Sequence, residues 1–249
     1  MNFDIVELLL TAIAVLISLT VHEYCHGYAA HLMGDDTAKN FGRLTLNPIK
    51  HIDPIGALCM LFFHIGWAKP VPINARNFRD PKKGFALTAL AGPLSNLILG
   101  FFSAFLYLLS IVLLWETVYS SNGFLSNLAS NTILFAGIFF SVNVGLGLFN
   151  LIPIPPFDGS RLLNVVLPPK YYFGIMKYER YIYYGMLAWL LLGDNVTYFL
   201  RTLPAIASSP VLNFIVGIFD LSGMIGTAIG FVTGLMLDFW QLIPFLRIF

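Results

Sequence analysis

The sequence predicts an all-α membrane protein, a polytopic bundle of about five to six transmembrane helices. Hydrophobic residues make up 57% of the chain and charged residues only 11%, whereas a typical soluble domain has about 25% charged residues. The mean hydropathy is +0.78. So few polar side chains cannot cover the surface of a water-exposed protein of 249 residues. Several apolar stretches also reach the length of about 20 residues that a bilayer crossing requires.

Five long apolar stretches are the predicted crossings. They lie at about 5–32, 84–115, 131–152, 181–193 and 211–237. The last stretch contains Asp220 and is also compatible with two shorter helices. A further apolar run, 54–68, is shorter and suits a re-entrant or interfacial segment as well as a span. With no internal repeat or low-complexity segment to divide it, the chain 1–249 is predicted to be a single transmembrane domain.

The positions of lysine and arginine predict the orientation, because these residues concentrate in cytoplasmic connections. Both flanks of the 54–68 run are basic, the connection 116–130 has no basic residue, and the connection 161–180 has four. This pattern predicts an external N-terminus, five crossings, and a 54–68 run that enters from the cytoplasmic side and returns. Alternating apolar and polar residues over Asn40–Pro48 predict a small cytoplasmic strand there, with a loop packed on the bundle as the alternative.

Net charge and composition restrict the classes of partner. The formal net charge is +1 and no basic stripe is present, which argues against a nucleic-acid partner. Cys25 and Cys59 are too few for a disulfide framework. Gly226, Gly230 and Gly234 recur every four residues and give one helix face a smooth stripe. Such a stripe is compatible with a homo-oligomer interface, and packing within the chain is the alternative.

The first crossing contains the pattern H-E-x-x-H at His22, Glu23 and His26. Residues four apart in a helix lie about 40° apart around the axis and one turn apart along it, so both imidazoles can bind one metal ion. Glu23 flanks this face and can reach a metal-bound water without being a ligand. Polar contacts between helices are the alternative, but clustered ionisable groups at membrane depth cost free energy and usually have a function. We therefore predict a zinc site.

A catalytic zinc site usually has three protein ligands and one water, so a third ligand is needed. His31 faces about 140° away from His26 on the helix, and Cys25 points about 100° off the metal face, so neither qualifies. Asp158 is the best candidate. It follows the proline-rich end of the third crossing, and the predicted orientation gives it a height similar to that of the two histidines.

Two structural alternatives stand beside this third ligand. Asp158 also fits an N-cap for a helix that starts at Gly159, or a plain Asp-Gly turn. Asp53 is the reserve ligand, although an Asp-Pro turn with Pro54 explains it without a metal.

Three stretches together resemble the site-2 protease family of intramembrane zinc metalloproteases. They are the motif His22–His26, the sequence Ala91-Gly-Pro-Leu-Ser-Asn96, and the segment from Asn150 to Gly159. The resemblance covers the core from about residue 5 to 165, and the helices at about 178–249 add little to it. The first and third stretches in combination are specific, whereas the middle one alone is weak.

The resemblance implies an enzyme that hydrolyses peptide bonds in or near transmembrane segments of membrane proteins. It implies one Zn²⁺ per chain, bound by His22, His26 and Asp158, with Glu23 as the catalytic base. Asn150 matches a family position close to the active site, and an interhelical amide hydrogen bond is its structural alternative. The family also holds a sheet near the position of segment 40–48, which suggests that this segment offers an edge to an extended substrate.

Departures from the wider family predict a compact member. The connection 116–130 is too short for a PDZ domain of ~90 residues, and no CBS pair is expected. The expected partners are a transmembrane protein substrate and the lipid bilayer. The expected location is a prokaryotic plasma membrane, with the active site toward the cytoplasmic side.

A transporter or channel is the rival interpretation, because His22, Glu23, His26 and Asp158 can also line an ion or proton path. Two features favour the hydrolase. Transport does not require the H-E-x-x-H spacing, and the two halves of the chain show no inverted repeat. An inactive metal-binding scaffold is a third possibility, against which the intact Glu23 argues.

Overall fold

The computed structural model describes residues 5–56, 67–218 and 220–247. These residues form helices joined by turns and irregular segments, of which the longest lies between Asn40 and Pro81, and their only β-type pairing is an isolated bridge. The helices are α1 (Ile5–Leu32), α2 (Thr37–Asn40), α3 (Pro81–Val118), α4 (Gly123–Asn150), α5 (Gly159–Val166), α6 (Pro169–Met176), α7 (Glu179–Thr202), α8 (Pro204–Ala207), α9 (Pro210–Ile218) and α10 (Leu221–Trp240). The all-α prediction is confirmed.

Four of the helices in the described part of the chain are long and apolar enough to cross a membrane. They are α1, α3, α4 and residues 223–240 of α10, which confirms the polytopic membrane protein. The predicted crossing 181–193 lies within α7, which has 24 residues but is not among these four. Its mean hydropathy is lower because the tyrosines and charged residues of 179–202 interrupt the apolar sequence.

Two crossings begin earlier than the sequence predicted, because polar capping residues start each helix. The crossing predicted at 84–115 is α3, where the Asp80 side chain accepts hydrogen bonds from the backbone N–H groups of Lys82 and Lys83. The crossing predicted at 131–152 is α4, where Asn122 plays the same part. Such a cap satisfies N–H groups that have no partner within the helix. Only residues 119–122 therefore separate the two helices.

The apolar stretch predicted at 211–237 is two helices, α9 and α10. Asp220 lies between them, and its side chain accepts a hydrogen bond from the backbone N–H of Gly223 at 2.8 Å. One helix therefore ends and the next begins at a capping residue in the middle of an apolar stretch.

The re-entrant prediction for 54–68 falls mostly outside the described residues, but its two flanks are described. Ile52 forms an antiparallel bridge with Ala68, and the backbone N–H of Lys69 donates to the carbonyl of His51 at 2.9 Å. The two ends of this run therefore lie side by side.

The strand predicted at Asn40–Pro48 is wrong. α2 ends at Asn40, Gly42 turns the chain with a φ of 64°, and a short 3-10 helix runs over Pro48–Lys50. The Asn47 side chain caps that helix by accepting from the backbone N–H of Ile49. Turn and cap residues thus override the apolar–polar alternation. Without a strand, this segment cannot offer the sheet edge that was suggested for an extended substrate.

The helices α1, α3 and α4 pack against one another and form the centre of the protein. α3 shows that the centre is polar and the outside apolar. Its buried positions include Thr88, Asn96 and Ser103, whereas large apolar side chains on its other face are exposed. That exposed set is Leu87, Leu94, Ile98, Phe102, Leu106 and Leu113. Such an arrangement suits lipid outside and a polar site inside.

Small residues let α3 and α4 approach closely. An added Cβ at Gly147 would lie 2.7 Å from Leu97 of α3, and one at Gly100 would lie 3.0 Å from Val144 of α4. Ala104, Phe140 and Val144 form the buried cluster between the two helices, and one face of α10 packs against it. Close packing of this kind replaces the hydrophobic effect, which does not drive helices together in lipid.

A buried carboxylate joins the end of α1 to the chain that precedes α3. Asp35 is fully buried and accepts hydrogen bonds from the backbone N–H and hydroxyl of Thr37, the backbone N–H of Asn74 and the side-chain amide of Asn77. Burial by itself would raise the pKa of Asp35. The hydrogen bonds outweigh it and hold this pKa below its ordinary value of 3.8.

We expect Asp35→Asn to lower the free energy of unfolding by about 1–3 kcal/mol at neutral pH, because an amide cannot accept from all these donors. The part of this stabilisation that comes from the lowered pKa of Asp35 is fully present above pH 3.8. It is lost as the pH falls through the lower value of the folded protein. Thermal unfolding in detergent at pH 7 and below pH 3 measures both effects. Asp53→Asn is the control, since the hydrogen bonds that Asp53 accepts from described residues come from the N–H groups of its near neighbours Ile55 and Gly56. Equal losses for the two variants at pH 7 would contradict the prediction.

Candidate metal centre

The two histidines of α1 lie side by side in the buried centre of the bundle. His22 is 4% exposed and His26 is 6% exposed. Their rings meet edge to face with centroids 4.5 Å apart, and their Nε2 atoms are 3.0 Å apart. The spacing of four residues on one helix accounts for this arrangement. Both Nε2 atoms therefore point to the same place.

Asp158 completes a triangle with these two nitrogens. Its Oδ2 lies 3.1 Å from the Nε2 of His22 and 3.1 Å from the Nε2 of His26. Residues 151–158, which follow α4, are irregular and bring the carboxylate back to α1. Although Asp158 immediately precedes α5, its side chain makes no capping hydrogen bond to that helix. The N-cap alternative therefore does not describe its carboxylate.

The triangle has a size that fits a metal ion. Its sides of 3.0, 3.1 and 3.1 Å are close to the ~3.4 Å between two ligands that each lie ~2.1 Å from a tetrahedral ion. Within the described residues these three side chains form the one group of this kind that could hold a metal. Two imidazole nitrogens and a carboxylate oxygen are a donor set that suits zinc.

Hydrogen bonds from the two imidazoles favour the ionised form of Asp158. Burial acts to raise the pKa of this carboxyl, but the hydrogen bonds from His22 and His26 outweigh burial and hold the pKa well below its usual value. A metal ion at the triangle would displace the protons that make these hydrogen bonds, because it binds the same nitrogen and oxygen atoms.

The other nitrogen of each imidazole has its own partner. His22 Nδ1 lies 2.6 Å from Asn96 Oδ1, and His26 Nδ1 lies 2.6 Å from the backbone carbonyl of Thr88. The Asn96 side-chain amide donates to Asn143 Oδ1 at 2.9 Å and to the carbonyl of Ser18 at 3.2 Å. Its oxygen therefore faces His22, whose Nδ1 must carry the proton. Both Nε2 atoms are left free for a metal.

We expect Asn96→Leu to weaken zinc binding by about tenfold to a hundredfold, because the variant removes the acceptor that orients His22. Chelator competition on the purified protein measures the affinity. Ser103→Ala is the control, since Ser103 is also buried in α3 but its hydroxyl donates only to the carbonyl of Leu99. Wild-type affinity in Asn96→Leu would rule out this role for Asn96.

Gly92 makes room for the imidazoles. A Cβ at this position would lie 2.4 Å from His26 Nε2 and 2.7 Å from His22 Cε1. Atoms at such distances overlap, so the backbone of α3 packs directly against the two rings only because residue 92 has no side chain. The absence of a Cβ there preserves the space in which the ligand atoms converge.

Gly92→Ala should therefore displace the imidazoles and reduce zinc affinity by about tenfold or more, since metal–ligand distances tolerate only about 0.2 Å. Zinc per chain after dialysis against buffered zinc measures this loss. Gly226→Ala is the matched control, because a Cβ there would have no heavy atom within 4 Å. If the two variants keep the same zinc content, the proposed fit of α3 against the rings is incorrect.

The triangle opens into a cavity of about 650 Å³. Glu23 and Asn150 line the same cavity, and the side-chain amide of Asn150 donates to the carbonyl of Leu146 at 3.0 Å. Glu23 Oε2 accepts a hydrogen bond from the backbone N–H of Val71 at 2.7 Å. The apolar part of the lining is contributed by Trp67, Ile73, Phe85, Phe149, Phe157, Tyr183 and Met186, among others.

The other candidates from the sequence lie outside this group. His31 pairs with Asp36. Asp53 accepts from the N–H groups of Ile55 and Gly56 in a turn, as the Asp-Pro interpretation predicted. Cys25 is a free, half-buried thiol, and Cys59 is outside the described residues.

The sequence did not identify the residues that orient the site. Gly92 and Asn96 entered only as parts of the weak middle motif, and neither was assigned a role. A buried asparagine in an otherwise apolar crossing was the available signal for Asn96. The carbonyl of Thr88 and the N–H of Val71 left no signal in the sequence, because every residue type other than proline has both backbone groups.

Comparison with known proteins agrees with this chemistry. The sequence model of Peptidase family M50 matches residues 10–193. The chain belongs to peptidase family M50. This M50 protein is an intramembrane zinc metalloprotease whose cofactor is Zn²⁺, and the transporter interpretation is not supported.

Relatives of this M50 protein come from bacteria. It is 41% identical over 180 residues to the putative zinc metalloprotease YwhC of Bacillus subtilis, covering 72% of this chain and 78% of that protein. It is 30% identical over 163 residues to the putative zinc metalloprotease Rip2 of Mycobacterium tuberculosis, covering 62% of this chain and 56% of that protein. No solved structure matches the chain.

Proposed function

We propose that His22, His26 and Asp158 bind the zinc ion and that Glu23 is the catalytic base for hydrolysis of a peptide bond in or near a transmembrane segment. The triangle of two Nε2 atoms and one Oδ2, with sides of 3.0–3.1 Å, carries this proposal. The set has three protein ligands, which leaves room for a water and a substrate carbonyl, as in other catalytic zinc sites.

Zinc bound there would supply Lewis acidity, lowering the pKa of a water and polarising the scissile carbonyl. Glu23 adjoins the ligand His22 in sequence and lines the cavity. It accepts a proton from the attacking water and later donates a proton to the leaving amine. His22 and His26 are buried, so charges on their side of the site act in a medium of lower dielectric constant than water.

Asn150 is proposed to stabilise the oxyanion that develops on the scissile carbonyl. It lies at the end of α4 and lines the cavity with Asp158. Its side-chain nitrogen has two hydrogens, of which one reaches the carbonyl of Leu146. The second hydrogen is therefore available to a substrate oxygen.

The proposed substrate is a transmembrane protein, and the proposed location of the site is the cytoplasmic side of a bacterial plasma membrane. The largely apolar lining of the cavity suits a membrane-derived segment. The basic residues in the connections next to the site support the cytoplasmic side, because lysine and arginine are concentrated in cytoplasmic connections.

A second copy of the chain is a further proposed partner. Added Cβ atoms at Gly226, Gly230 and Gly234 would have no heavy atom within 4 Å, so this face of α10 is not packed within the described part of the protomer. Glycines at this spacing permit the close approach of another helix.

Glu23→Gln tests the proposed base. We expect the variant to retain one zinc per chain and to lose at least about a hundredfold in kcat, the lower range for general acid–base catalysis. Cleavage is measured in lipid vesicles with quenched-fluorescent peptides that carry one leucine-rich span interrupted by Asn-Gly. His22→Ala and Asp158→Ala should lose zinc and activity together. A fully active Glu23→Gln enzyme would refute the assignment of the base.

A further inference from the structure

The carboxylate of Glu23 is held by a backbone group from a distant part of the chain. Its Oε2 accepts from the N–H of Val71 at 2.7 Å, across 48 residues of sequence. Val71 is 6% exposed and lies in an irregular segment, residues 69–74, which contributes to the wall of the cavity. A backbone N–H is uncharged and moves only with its chain, so its position depends on what fixes this segment.

The local sequence leaves one backbone N–H donor at this position and restricts the conformation of the backbone that carries it. Val71 stands between Pro70 and Pro72, and proline has no N–H to donate. Among residues 70–72, therefore, Val71 supplies the only backbone donor. Each proline fixes its own φ and also restricts the preceding residue to extended conformations. The direction of the Val71 N–H is thus largely set by the sequence.

Both ends of the segment are attached to the rest of the protein. At one end, the N–H of Lys69 donates to the carbonyl of His51 at 2.9 Å, and Arg43 Nη2 donates to the carbonyl of Lys69 at 2.7 Å. At the other end, the N–H of Asn74 donates to the buried carboxylate of Asp35 at 2.6 Å. Side chains from outside the segment therefore hold it against α1.

The packing of Val71 brings its N–H to Glu23. Gly27 lies one helical turn after Glu23 on α1, and an added Cβ there would lie 3.2 Å from Val71 Cγ1. The valine side chain thus packs over Gly27 while the valine N–H reaches the carboxylate. One methyl group on Gly27 would already make this contact tight.

We propose that the Val71 N–H is a positioning donor that fixes the carboxylate of Glu23 for proton transfer, an inference that rests on the proposed role of Glu23 as base. With Oε2 engaged by Val71, Oε1 is the atom that we assign to the reacting water. Oε1 takes a proton as the O–H bond of the water breaks and the water oxygen forms a new C–O bond to the scissile carbonyl carbon. It then gives this proton to the amide nitrogen as the C–N bond breaks, and the amine leaves. An uncharged donor orients the carboxylate without offering a competing proton.

The central test compares Val71→Pro, which deletes the N–H, with Val71→Ala, which keeps the N–H. Both variants lose the valine methyl that packs over Gly27. In the full-length protein loaded with zinc, we expect both variants to keep one zinc per chain. We expect kcat for the single-span peptide in Val71→Pro to be about tenfold to a hundredfold below that of Val71→Ala, with KM changed less than threefold. Equal kcat values in the two variants would overturn the proposal.

An infrared measurement tests the hydrogen bond without turnover. The difference between wild type and Glu23→Gln gives the carboxylate stretch of Glu23, with and without zinc. We expect this band to shift toward that of a carboxylate with no hydrogen bond in Val71→Pro and to stay in place in Val71→Ala. A band at the same position in both variants would contradict the contact.

An amide-to-ester change at residue 71 replaces Val71→Pro if that variant does not fold. It substitutes oxygen for the N–H and keeps the valine side chain. A loss of about tenfold or more in kcat supports the proposal, and wild-type kcat overturns it. The proposed function has a separate outcome. If Glu23→Gln is active, the proposal that Glu23 is the base is refuted. If Glu23→Gln is inactive and Val71→Pro and Val71→Ala have equal kcat values, only the positioning role of Val71 is refuted.

Discussion

The contact between two imidazoles and one carboxylate in the middle of an apolar bundle is the constraint on which the rest of the structure depends. A single charged side chain at the centre of a membrane helix costs about 2.5–3.5 kcal/mol on insertion scales. His22, His26 and Asp158 offset that cost by facing one another at 3.0–3.1 Å. Such a group is stable only where nearby helices exclude lipid and supply partners for the remaining polar atoms.

α3 supplies most of that support. It carries the carbonyl of Thr88 and the amide of Asn96, one for each histidine, and Gly92 allows its backbone to lie against both rings. Its outer face is made of large apolar side chains that are exposed on the protein surface. One helix thus provides hydrogen bonds on the inside and lipid contact on the outside. This division explains why an apolar crossing contains buried polar residues.

The residues between α1 and α3 add a second layer of organisation. Asp35 and Arg43 hold the two ends of the segment that includes Val71, and that segment reaches back to Glu23. The side chains that anchor the segment are distant in sequence from the histidines. A change at Asp35 is therefore expected to reach the proposed base through the chain, without touching the proposed metal ligands. Under the proposed roles, metal binding and proton transfer have separate supports, α3 for the first and residues 69–74 for the second.

The membrane class, the approximate helices and the pairing of His22 with His26 could all be predicted from the sequence, because they depend on composition and on helical periodicity. The sequence also singled out Asp158, because few other ionisable residues stood at a suitable height. Helix starts were misplaced where a single polar cap, Asp80 or Asn122, extended the helix beyond its apolar stretch. The strand at 40–48 was wrong because Gly42 and the Asn47-Pro48 cap outweighed a short alternation.

The groups that orient the site became visible only when the helices were packed together. The contacts from Asn96 to His22, from the Thr88 carbonyl to His26, and from the Val71 N–H to Glu23 each join residues 48–74 positions apart. Two of them use backbone atoms, which leave no signature in residue type. Local patterns encode helices and neighbouring side chains. Contacts of this range depend instead on how the helices pack and where the connecting segments are held.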